Sequence, residues 1–121
     1  VTGSVIEERF RRVCALGDLA VDQPRQAVLD GVAVVLVRTA DDAVHALDDR
    51  CSHGEVSLSE GFAADGCIEC WAHGGAFDLA TGAATQLPAF EPVAVFDTRV
   101  VDGDVYLDPH SGRIAAGNGN D

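Results

Sequence analysis

The sequence has 121 residues, 47% of them hydrophobic, and its 20 acidic residues against 8 basic ones give a net charge of −12. This length predicts one domain that buries a core without staples. The acidic surplus excludes nucleic acid and anionic membrane surfaces as partners, because both call for clustered Lys and Arg. The same charge keeps a small protein soluble and steers it towards basic patches on redox partners.

No apolar run approaches the length of a membrane span. Residues 1–12 lack the charged, apolar and small-residue segments of a secretory leader. The four cysteines, Cys14, Cys51, Cys67 and Cys70, suggest no disulfide framework. Reduced thiols of this kind fit a cytoplasmic protein.

In chain order, residues 1–11 are polar, with Ile6 and Phe10 as docking points. Residues 12–16 alternate enough for a first strand, and Cys14 within it reads as a small buried hydrophobe. Residues 26–29 and 32–38 form a hairpin around Asp30-Gly31, the residue pair that a type I′ turn demands. The run 32–37 is β-branched and apolar throughout, so it is expected to be a central strand buried on both faces. A turn at 39–42 leads to a strand at 43–47, where His45 is expected on the polar face. A second hairpin joins 61–64 to 67–70 through Asp65-Gly66. Cys67 is expected to point into a small core beneath this hairpin. Residues 76–79 form a short strand, and 85–92 cross back along an extended path set by Pro88 and Pro92. Strands at 93–96, 98–101 and 104–107 close the sheet, the last two around Asp102-Gly103. Residues 109–121 are expected to be a disordered tail, with His110 a bystander.

Between these elements lie two short loops that each offer one thiol and one imidazole. The first reads Cys51-Ser52-His53 and the second Cys70-Trp71-Ala72-His73, separated by sixteen residues. Thiolates and neutral imidazoles suit zinc, iron and copper. Two sites fit the set. One is a single zinc held by two Cys and two His, as in a non-redox, zinc-stabilised interaction module. The other is a 2Fe–2S cluster with both Cys on one iron and both His on the other. Each loop is mixed, so the ligands sort by type only if the loops face each other.

The surrounding residues resemble the Rieske ferredoxins. The resemblance is carried by Cys51-Ser52-His53-Gly54 through Leu58-Ser59-Glu60-Gly61, by Cys70-Trp71-Ala72-His73-Gly74 with Phe77-Asp78-Leu79-Ala80-Thr81-Gly82 behind it, and by Leu87-Pro88-Ala89. It runs over about 45–107 and is weak before Gly31. It implies an all-β Rieske fold over 1–108, an antiparallel sandwich base with a cluster-binding subdomain inserted at about 46–90. It also implies one 2Fe–2S cluster, with Cys51 and Cys70 on the inner iron and His53 and His73 on the outer one. No catalytic residue is assigned. The implied role is electron transfer from a flavin-dependent ferredoxin reductase to a terminal non-haem iron dioxygenase. The wording is also similar to carriers that accompany iron–sulfur cluster assembly and to nitrite reductase small subunits. An oxygenase would need a second iron site of two His and a carboxylate, and only His45 and His110 remain for it.

Within the family, Trp71 and Leu58 are expected to help form an apolar docking patch and the cluster pocket, and the backbone amides of Gly54, Gly74 and Gly75 are expected at the sulfides. High-potential members carry an extra cysteine in each loop, forming a disulfide. Val56 and Ala72 occupy those positions here, and Gly75 replaces a serine hydroxyl. Fewer hydrogen bonds to sulfur stabilise the reduced state less, so the resemblance implies a potential near the low end of the Rieske range, about −150 mV.

Overall fold

The computed structural model describes residues 8–50, 56–72, 74–87 and 91–114. Eleven strands follow one another: β1 (Arg11–Ala15), β2 (Arg25–Leu29), β3 (Val32–Arg38), β4 (Val44–Asp48), β5 (Phe62–Ala64), β6 (Cys67–Glu69), β7 (Ala76–Asp78), β8 (Ala84–Gln86), β9 (Val95–Phe96), β10 (Thr98–Val101) and β11 (Asp104–Leu107). Single 3-10 turns occupy Leu16–Asp18 and Leu58–Glu60.

The tight hairpins form where Asp-Gly pairs allow them. Asp30 and Gly31 have φ of 51° and 77°, Asp65 and Gly66 55° and 78°, and Asp102 and Gly103 54° and 81°. Both central residues of each turn are therefore left-handed, as a type I′ turn requires. These turns join β2 to β3, β5 to β6 and β10 to β11, all antiparallel.

The strands form three sheets, ordered β1-β11-β10, β2-β3-β4-β9 and β5-β6-β7-β8. The second sheet contributes to two cores. Successive side chains of a strand point to opposite faces, and β3 divides its apolar run accordingly. Val34 and Leu36 join Cys14, Leu19, Val44, Ala46, Val105 and Leu107 in the core shared with the first sheet. Val35 and Val37 join Leu47, Leu58, Ile68, Cys70 and Phe77 in the core shared with the third. All four β3 residues are 0% exposed, so the expectation of a strand buried on both faces holds.

The structure corrects several expectations. Strand β8 pairs with β7, where the sequence suggested only an extended crossing. Cys67 does not enter the core: Ile68 takes that place at 0% exposure. Strand alternation puts half-buried Cys67 on the outer face with Glu69, in a shallow cleft beside Phe62 and Gln86. Leu58 is also 0% exposed and belongs to the core rather than to a docking surface.

Residues 109–114 are not a loose tail. The backbones of Val95 and Arg113 exchange hydrogen bonds of 2.8 and 3.0 Å. Arg113 Nη1 reaches Asp97 Oδ1 at 2.8 Å, and Ser111 Oγ accepts from the Asp97 amide at 2.8 Å. Arg9 bridges Asp97 and Asp108 at 3.0 and 2.8 Å. His110 meets Asp30 at 2.9 Å. Residues 115–121 lie outside the described residues. Cys14 is buried in the base core, and burial raises its thiol pKa. His45 is half-buried on β4, opposite Val37. No helix among the described residues is long and apolar enough to cross a membrane.

Candidate metal centre

Of the four predicted ligands the structure describes Cys70. Cys51, His53 and His73 lie outside the described residues, as do Gly54 and the Pro88-Ala89 stretch. Among the described residues no group of three or more His, Cys, Asp or Glu gathers as around a metal ion. The residues that flank both predicted ligand loops form bonded frames.

The second loop starts where β6 ends. The Cys70 amide donates to the Gly75 carbonyl at 2.6 Å, and the Gly74 amide donates back to the Cys70 carbonyl at 3.1 Å. Gly74 has φ +81°, a conformation that favours glycine. Gln86 Nε2 on β8 donates to the Gly74 carbonyl at 2.6 Å. These bonds close 70–75 into a tight return. They leave the Cys70 thiol buried at 1% exposure and Trp71 exposed at 49%. The Gly74 amide is spent on loop closure, which removes it from the expected sulfide donors.

The first loop is closed by residues on either side of it. The Asp49 carbonyl accepts from the Leu58 amide at 2.6 Å, and Arg50 bridges Ser57 in antiparallel fashion. The Asp49 carboxylate is 2% exposed. Its Oδ1 accepts from the Ser59 amide at 2.7 Å, and its Oδ2 from Ser59 Oγ at 3.0 Å and Gln26 Nε2 at 2.6 Å. Val56 and Ala72, one from each loop, pack against the same core, so both loops rest on one support.

The Phe77-to-Gly82 stretch explains itself physically. Phe77 is 0% exposed in the core under the loops. Asp78 Oδ1 accepts from the Ala80 and Thr81 amides at 2.8 and 3.1 Å, which forms the turn. Gly82 has φ +77°, and its carbonyl accepts from the Val93 amide at 2.9 Å. A Cβ at Gly82 would lie 2.2 Å from the Val93 carbonyl oxygen, and one at Gly61 2.0 Å from that of Glu69. Both glycines permit backbone approaches that no side chain would allow.

The donor chemistry fits a mixed cluster. Cys70 is a free, buried thiol followed by exposed Trp71, and the sequence follows both Cys51 and Cys70 with a histidine two or three residues on. Asp49, Gln26 and Gln86 are the supporting residues that sequence reasoning missed. Asp49 stood in an acidic run, and its only signal was its position two residues before Cys51.

Residues 9–97 match the Rieske [2Fe-2S] domain family. The chain is 41% identical over 93 residues to the anthranilate 1,2-dioxygenase ferredoxin subunit of Burkholderia cepacia, covering 77% of this chain and 85% of that one. Its fold is similar to the ferredoxin of carbazole 1,9a-dioxygenase from Nocardioides aromaticivorans IC177, with a TM-score of 0.79, 36% identity, and 83% and 97% of the two chains covered. It is equally similar, at a TM-score of 0.79 and 33% identity over 87% of this chain and 97% of the other, to a chain in the complex of reduced oxygenase and oxidized ferredoxin in carbazole 1,9a-dioxygenase. The chain therefore belongs to the Rieske [2Fe-2S] domain family, as an electron carrier of the ferredoxin type with a Rieske 2Fe–2S cluster.

Proposed function

We propose that the cluster is held by Cys51, His53, Cys70 and His73, and that the protein passes single electrons from a flavin-dependent reductase to a terminal Rieske non-haem iron dioxygenase in the cytoplasm. The observation that carries the ligand assignment is the buried, free Cys70 thiol at the head of a closed 70–75 loop. The partner reading rests on the named systems of its relatives. When bound, the cluster supplies a site that takes up and gives back one electron.

The residues around it do the rest. Cys70 presents sulfur from the core side, and the chain returns at Gly74 and Gly75 through backbone bonds to Cys70. Trp71 at 49% and Leu87 at 73% exposure offer apolar contact to a partner there. Burying such a surface only briefly suits a carrier, whose encounters are small and transient. Val56, Ala72 and Gly75 bring no disulfide or hydroxyl to the site, which supports a potential near the low end of the Rieske range, about −150 mV.

Rapid mixing of reduced protein with the oxidised oxygenase of the carbazole system tests this reading. The expected result is re-oxidation whose rate falls with added salt, because steering by opposite charges is screened. Trp71→Ala is expected to slow the transfer and leave the midpoint potential unchanged. A protein that ferricyanide oxidises but the oxygenase does not would contradict the proposed partner.

A further inference from the structure

We infer that Asp49 is a positioning residue for the cluster, a buried carboxylate clasp that fixes the loop bearing Cys51 and His53. This rests on the ligand assignment above.

The geometry is unusual for a residue from an acidic run. Asp48-Asp49-Arg50 reads as solvated surface, yet Asp49 is 2% exposed, and a buried carboxylate is costly unless its oxygens are satisfied. Three donors satisfy it, and they come from different places. Ser59 supplies its amide at 2.7 Å and its hydroxyl at 3.0 Å, from the far side of the ligand loop. Gln26 Nε2 supplies the third at 2.6 Å from β2. The backbone of Asp49 accepts from Leu58 at 2.6 Å and donates to Ala33 at 3.2 Å. Asp49 therefore joins both stems of the first ligand loop to the middle sheet.

Only Arg50 separates Asp49 from Cys51, so their Cα atoms are at most about 7 Å apart. Any freedom at the clasp passes directly to the first thiolate and, two residues further, to the first imidazole. Hydrogen bonds to a charged acceptor are stronger than neutral ones and are directional. Supporting groups of this kind orient metal ligands, and losing them typically weakens metal retention ten- to a hundredfold.

The test uses the cluster-loaded protein, a chelator that traps released iron, and the electron paramagnetic resonance spectrum of the reduced form. Asp49→Ala is expected to speed iron release at least tenfold and to broaden or shift the g values. Gln26→Ala removes one of the three bonds from an exposed position on β2 and is expected to speed release by about tenfold, the factor one charge-assisted hydrogen bond carries. Asp49→Asn keeps the acceptor for the Ser59 amide, and the Gln26 amide turns to meet the new NH2. It is expected to keep wild-type g values and to speed release less than Asp49→Ala does, because neutral hydrogen bonds replace charge-assisted ones in the same geometry. Val105→Ala, in the base core, is expected to lower thermal stability without changing release.

Unchanged release and g values in Asp49→Ala would overturn the inference. So would a Val105→Ala protein that sheds iron as fast. If Asp49→Ala fails to accumulate as folded protein, Gln26→Ala decides, and wild-type release there overturns the clasp. Wild-type protein lacking two irons per chain fails the ligand assignment itself, a distinct outcome.

Discussion

The base of the molecule and its cluster-bearing sheet are built by different means. The base uses strands of up to seven residues, as in β3 (Val32–Arg38), and all eight basic residues of the protein lie outside 51–92. Most of these arginines are tied to aspartates: Arg11 to Asp30, Arg12 to Asp104, Arg38 to Asp42, and Arg9 and Arg113 to Asp97. Arg9 and Arg99 also stack on the Phe10 ring, 4.4 and 4.8 Å from its centroid. The cluster-bearing sheet has four strands of three residues each. Segment 51–92 around it contains six acidic residues and no basic one. Strands that short are marginal alone, so this sheet depends on the core it shares with β3 and β4. The base is the stable platform, and the acidic end is where the proposed ligands would exchange the electron.

Truncating one core residue in each region should separate the two most sharply. Phe77→Ala beneath the ligand loops is expected to cost about 3–5 kcal/mol and to release iron. Leu107→Ala, also 0% exposed, is expected to cost about 2–5 kcal/mol in the base and to keep its iron. Denaturant titration with iron analysis of each folded variant checks both. If Phe77→Ala retained its cluster, the coupling of that core to the loops would be refuted.

Glycines give the next contrast. Gly82→Ala combines φ +77° with a Cβ 2.2 Å from the Val93 oxygen, and is expected to cost more than about 3 kcal/mol. Gly103 has φ +81° but no atom within 4 Å of a Cβ. Gly103→Ala therefore bears only the left-handed penalty of about 1–2 kcal/mol. Equal thermal shifts in the two variants would mean that the Gly82–Val93 approach does not constrain the turn.

A smaller effect concerns the C-terminal segment of the base. Burial alone would raise the carboxyl pKa of Asp97 and of Asp108. Arg9 and Arg113 outweigh it at Asp97, and the His110 amide with Arg9 outweigh it at Asp108, so both lie below the ordinary 3.8. The ionised forms therefore favour the folded state. Their contribution is fully present above about pH 3.8 and is lost as pH falls through the lowered values. Amide resonances of Ser111 and Arg113 should move towards random-coil positions below that pH, while those of Val34 and Leu36 stay fixed. Simultaneous loss of all four would show that the segment has no separate ionic anchor.

Much of this architecture was legible because it is encoded locally. The three Asp-Gly turns announce their hairpins, and the Val32–Val37 run announces a doubly buried strand. The ligand loops stand out because Cys and His carry distinctive chemistry. What stayed hidden depends on distant partners. Ala84-Thr85-Gln86 has no apolar alternation, and it becomes β8 only because β7 offers an edge. β1 pairs with β11, almost a full chain length away. Residues 109–114 have the composition of a tail, and Asp97, Asp108 and Arg9 order them. Asp49 looks like surface until Ser59 and Gln26 are brought to it. Cys67 was misplaced because its hydrophobicity was weighed above strand alternation, which gives the inward position to Ile68.

The most direct test of the central claim is pulsed electron paramagnetic resonance of the reduced protein with 15N-labelled histidine, with iron and zinc analysis of the same sample. Two irons per chain are expected, with an average g below the free-electron value and two coupled histidine nitrogens that His53→Cys or His73→Cys reduces to one. A colourless protein with one zinc, or an iron–sulfur signal with no histidine coupling, would contradict the claim.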